Sequence, residues 1–205
     1  REATAAYVRQ TLRYALIFGA AMAVVLGARP ETLLRILYPA GYGVGAAAMP
    51  VLAAGVVALA LLSIAGSIVT ASGRPYVAMV LVAVTLIAGA GLAFTFVPRA
   101  APGPDMLLAA ALATAAGMLV GFIVALVFLR RRFGAGLPLA SAARVLVAVA
   151  LAVLAARVLP GNGVFPGLAA MALAGIVYAG TLLVAREFGP ADREKFMKIV
   201  RRKRA

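Results

Sequence analysis

Six long apolar runs alternate with short clusters of charge, proline and glycine along the 205 residues. A helix needs roughly 20 apolar residues to cross hydrocarbon, and the runs predict spans at about 12–29, 44–71, 76–97, 106–129, 139–159 and 164–185. The first, bounded by Arg13 and Arg29, crosses if its arginines snorkel. The third stops at Pro98 and the fourth at Arg130, Arg131 and Arg132. The fifth is the weak one, because only about 12 uninterrupted apolar residues separate Arg144 from Arg157. It reaches spanning length by adding residues 137–143 or 158–160, since an arginine at the centre costs roughly 2.5–3.5 kcal/mol.

The connecting segments carry their own signals. Pro30, Glu31 and Thr32 open a short helix over residues 33–38, in which Glu31 and Arg35 fall at the favourable i,i+4 spacing. It is expected at the outer interface and not as a span. Ser72-Gly73-Arg74-Pro75 and Gly161-Asn162-Gly163 are turn signals. Residues 189–204 place Phe196, Ile199 and Val200 on one helical face among lysines and arginines, the pattern of an amphipathic helix on the inner leaflet. The expected architecture is all-α: a polytopic transmembrane bundle of about six spans over residues 1–188, then a basic cytoplasmic tail at 189–205.

Composition agrees with lipid as the solvent, at 65% hydrophobic and 13% charged residues. The net charge of +14 raises nucleic acid as a partner, but the charges sit between the apolar runs. Sixteen of the 20 basic residues fall on one side of the predicted topology and four on the other. The positive-inside rule then puts both ends in the cytoplasm and makes the bilayer and its anionic headgroups the partners, not nucleic acid. The chain has no cysteine and no histidine, which removes thiolate and imidazole chemistry and most transition-metal sites. No catalytic residue, metal site or cofactor is expected, and the protein is not expected to be an enzyme. Because it opens on Arg1 without a signal peptide, a fragment of a longer chain is expected.

Few polar residues lie within the spans. Ser63, Ser67 and Thr70 follow i, i+4, i+7 with Gly66 beside them, so they share a helical face. Such residues let helices approach closely or line a substrate cavity. Gly117 and Gly121 form a small-xxx-small pair. Arg13 and Arg35, at opposite ends, carry the paired donors that read phosphate, with headgroup anchoring as the plainer role. The acidic residues, Glu187 among them, all fall in loops, ends or the tail, so no intramembrane carboxylate suggests cation coupling.

The order of these features resembles the C-terminal part of bacterial polysaccharide and oligosaccharide-lipid flippases, in the superfamily that includes multidrug/toxin-extrusion transporters. The resembling text is LRYALIFGAAMAVVLGARPETLLRILYPAGYGVGAAAMPVLAAG, then SIVTASGRP, then LAFTFVPRAAPGPDMLLAAALATAAG, then LVAREFGPADREKFMKIVRRK. The family's apolar hairpin, tyrosine and small run match residues 33–38, Tyr42 and 46–48; its small-Gly-Arg turn matches Ser72 to Arg74; its apolar-Pro exit matches Val97 and Pro98. The family's asparagines before that exit are Ala88, Gly89 and Ala90 here, and Pro39 replaces its hairpin glycine. The resemblance implies the last six of fourteen helices, a MATE-like fold in the bacterial cytoplasmic membrane, with four helices in the second lobe and two peripheral. It further implies alternating-access transfer of an undecaprenyl-diphosphate-linked glycan, together with missing N-terminal helices. The candidate substrate contacts, read from the residues' own spacing and chemistry, are Arg13, Ser63, Ser67 and Thr70. Alternatives are a multidrug/cation antiporter of the same fold and a non-catalytic subunit of a cell-envelope polysaccharide assembly.

Overall fold

The computed structural model describes residues 2–159 and 163–187. Gly161 and Asn162 of the predicted last turn, and the whole basic tail at 189–205, lie outside them. The described residues form seven α-helices: α1 (Glu2–Ala28), α2 (Pro30–Leu37), α3 (Ala48–Ala71), α4 (Pro75–Phe96), α5 (Pro104–Phe133), α6 (Leu139–Val158) and α7 (Val164–Val184). They contain no strand, and all but α2 are long and apolar enough to cross a membrane. The protein is an all-α, multi-pass membrane bundle. The start of α1, the α3–α4 turn, the α5–α6 connection and the residues after α7 form one end, here the near end.

Helix limits differ from the apolar runs where packing or capping continues beyond them. α1 begins well ahead of residue 12, because Ala5, Val8 and Leu12 recur at helical spacing and are buried beside Val69, Leu129 and Ala135. α5 runs past its three arginines to Phe133, cations being favourable in a last helical turn. Gly134 then ends it at φ 62°, its N–H donating to the Arg130 carbonyl at 3.0 Å. α3 starts only at Ala48, since Ala40–Gly45 form a 3₁₀ turn. The weak fifth run does make a 20-residue helix, α6, with Arg144 and Arg157 each near an end. α2 is the expected short helix, exposing Ile36 and Leu37.

The buried residues form two clusters on opposite sides of α1. One joins Val8 and Leu12 to Leu61, Leu62, Leu81, Phe122 and Leu129 of α3, α4 and α5. The other joins Ile17 and Val24 to Val145, Ala148, Ala152, Ala170 and Ala174 of α6 and α7. α6 and α7 pack on each other and on α1, with no substantial packing on α3, α4 or α5. The fold is therefore four helices plus a pair, sharing α1 as a wall.

Within the four, glycine and alanine set the spacing. Gly55 of α3 meets Ala115 of α5, and a Cβ on Gly117 would lie 2.5 Å from the Gly89 Cα of α4. Gly121 stands against Thr85 one turn further on. The Gly117–Gly121 pair thus marks a close crossing, of the kind that lets backbones approach where hydrophobic attraction between helices is absent. α4 is the outermost of the four, with Leu81 its buried residue.

Candidate functional site: a carboxylate clasp and an open hydroxyl face

α7 ends in a Schellman motif. Its closing bonds run from the Glu187 N–H to the Leu182 carbonyl and from the Arg186 N–H to the Leu183 carbonyl, both 3.0 Å. The motif requires a left-handed residue, and Arg186 supplies it at φ 52° although it is not glycine. This turn brings the Glu187 side chain back against the near ends of α1 and α6.

There the Arg13 Nε donates to Glu187 Oε1 and the Arg144 Nη1 to Oε2, each at 2.8 Å. The Ser141 hydroxyl is a third donor. Glu187 is 1% exposed, against 22% for Arg13 and 47% for Arg144, so the acceptor is buried while the donors reach outward. Burial alone would raise the Glu187 carboxyl. The hydrogen bonds from Ser141, Arg144 and Arg13, with the charge of Arg13, outweigh it and hold the group below the ordinary carboxylate range. With both oxygens committed, Glu187 is suited to clasp three segments together, not to carry protons.

Two further bonds tie the same helices. The buried Tyr178 hydroxyl donates to the Ile17 carbonyl at 2.8 Å, joining the middles of α7 and α1. At the far end the Arg29 Nη2 donates to the carbonyls of Ala156 (3.2 Å) and Leu159, satisfying acceptors that the end of α6 leaves open.

Of the residues singled out from sequence, Arg13 belongs to this clasp. Ser63, Ser67 and Thr70 do share a face of α3, as their spacing predicts, but that face is exposed and lies apart from the clasp. The Ser67 hydroxyl donates to the Ser63 carbonyl at 3.0 Å, within the helix. Toward the far end the face continues as exposed Leu52, Val56 and Leu59. Arg144, Ser141, Tyr178 and Glu187 were not singled out. Glu187 had a visible signal, an acid directly after Arg186 at the end of the last span, but its burial depends on the turn at Arg186. Comparison of the chain with protein families, with curated proteins and with solved structures finds no match.

Proposed function

We propose that this chain is part of a transporter that moves lipid-linked oligosaccharide or polysaccharide precursors across the bacterial cytoplasmic membrane by alternating access, and that it is not an enzyme. The observation that carries the reading is the exposed hydroxyl face of α3. Although the Ser67 hydroxyl bonds within its own helix, lipid offers nothing polar to the stripe that Ser63, Ser67 and, near the helix end, Thr70 turn outward, so the face suits a wetted cavity closed on its other side by further helices. The division into four helices plus a pair, with α6 and α7 packed on α1 and, through α7, on the short α2, is the arrangement that the flippase resemblance implies. The near end, with its excess of arginine, is the cytoplasmic one in this reading.

The test is a leaflet-accessibility assay on the full protein in vesicles containing a polyprenyl-diphosphate oligosaccharide. Protein-dependent transfer is expected, and a Ser63→Leu, Ser67→Leu, Thr70→Leu variant that inserts normally should lose most of it. Transfer that is absent from the parent, or unaltered in the variant, would refute the reading. A reporter in the loop at Gly161 checks orientation: an extracytoplasmic signal is expected.

A further inference from the structure

We propose that the slot between α4 and α5 binds one acyl chain of an anionic phospholipid, whose phosphate meets Arg99 at the far end. The inference is independent of the transport reading. Three apolar grooves mark the far half of the four-helix group: about 480 Å³ between α1 and α3, 560 Å³ between α3 and α5, and 470 Å³ between α4 and α5. All three fall in the size range of small-molecule sites, roughly 300–1,000 Å³. Among the described residues, the α4–α5 slot is the one of these three with a charged residue in its lining.

That slot arises from side-chain size. Ala109, Ala113 and Ala116 lie at spacings of four and three on one face of α5 and leave a recess. Leu92 and Phe96 of α4 and Leu112 of α5 wall it. Apolar walls at membrane depth accept a hydrocarbon chain but do not select one, since lipid tails are as apolar as leucine. Selection comes from the rim. Arg99 stands in the short 3₁₀ turn directly after α4, exposed and at the boundary where lipid phosphates lie. A guanidinium there reads phosphate oxygens through paired donors.

The other far-end arginines are placed otherwise. Arg29 is bound to the carbonyls that end α6, Arg35 belongs to α2, and Arg157 lies in the last turn of α6. Asp105, in the first turn of α5, is the nearest acid in sequence to Arg99, and among the described residues no ion pair joins them. Arg99 thus offers its charge where the slot opens.

These 205 residues contain no tryptophan, so Phe96→Trp places a conservative fluorescent reporter in the slot wall, read in the full protein as the difference from the parent. The protein is reconstituted in phosphatidylcholine vesicles titrated with acyl-brominated phosphatidylglycerol or acyl-brominated phosphatidylcholine. Quenching is expected to favour phosphatidylglycerol about fivefold, the factor for one basic residue at an anionic surface. Arg99→Gln should remove the preference and leave quenching by both lipids. Ala109→Phe, filling the slot from a half-buried position, should reduce quenching by both. Equal quenching by the two lipids, or a preference that survives Arg99→Gln, would overturn the proposal. So would a reporter that neither lipid quenches, because protein would then occupy the slot.

Discussion

On one side of α1 the helices are tied by polar bonds at three depths; on the other they are packed through small residues. The α1–α6–α7 group has the Glu187 clasp at the near end, Tyr178 to Ile17 midway, and Arg29 on the α6 carbonyls at the far end. In α3, α4 and α5 the side-chain hydrogen bonds of Ser67, Ser72, Thr85, Thr95 and Thr114 all return to their own helix. Water drives neither association, because both groups sit in lipid. Polar bonds fix register at discrete points, whereas small-residue contacts depend on close approach along a whole crossing. The two groups should therefore fail in different ways.

The largest effect is expected where close approach leaves no room. At Gly117 the obstruction is the Gly89 backbone, with the Cα at 2.5 Å and the N at 2.6 Å from an added Cβ, so no neighbouring side chain can turn aside. Gly117→Val should cost about 3 kcal/mol, the upper part of the usual overpacking range. Reversible unfolding in mixed micelles measures the loss. Segment-resolved hydrogen exchange should show α4 and α5 loosened and α6 and α7 protected; equal loosening of all four would erase the distinction.

Second in size is the clasp. Glu187→Ala removes both ion pairs and should cost about 2 kcal/mol, well below the penalty for a fully buried pair because the two arginines are partly exposed and can turn to headgroups. Hydrogen exchange should now rise in α6 and α7 and not in α4. The lowered Glu187 pKa gives the same contribution a pH dependence. A carboxylate whose folded pKa lies below its unfolded value stabilises fully above the unfolded value, about 4.3, and loses that contribution as pH falls through the folded one. Docking of α6 and α7 should thus be flat from neutral pH to about 5 and weaken only in stronger acid, a decline that Glu187→Ala lacks. Smaller again is Tyr178→Phe, which keeps the packing and deletes one interhelical bond; about 0.6 kcal/mol is the usual loss in a membrane bundle.

These effects also separate what the sequence makes legible from what it hides. The spans are legible because each is a local composition, and even the interrupted fifth run becomes α6 once Arg144 and Arg157 are placed near its ends. The Gly117–Gly121 crossing is legible because its spacing is helical. The clasp is not, for it joins residues 174 positions apart, Arg13 and Glu187, and depends on a backbone turn at Arg186 that no composition predicts. The hydroxyl face of α3 lies between these cases: its register follows from i, i+4, i+7, but whether it points inward or outward is set by the packing of the opposite face, where Ala58, Leu61, Ala65 and Val69 are buried.

An effect of opposite sign, a gain in stability, tests how the clasp is held. α3 and α7 end in the same motif: the Arg74 and Gly73 N–H groups return to the carbonyls of Val69 and Thr70, as those of Glu187 and Arg186 return to Leu182 and Leu183. The left-handed position is glycine in the first, at φ 81°, and arginine in the second, at φ 52°. A non-glycine residue there is disfavoured by roughly 1–2 kcal/mol, so Arg186→Gly should stabilise the fold, by less than about 1 kcal/mol once the greater freedom of unfolded glycine is subtracted. The informative measurement is the double variant. If the ion pairs of Glu187 hold the α7 turn in its left-handed form, Glu187→Ala lets that turn relax, and the gain from Arg186→Gly should shrink toward zero in that background. An undiminished gain would mean that the turn stands without the clasp, and that Glu187 follows the backbone and does not hold it.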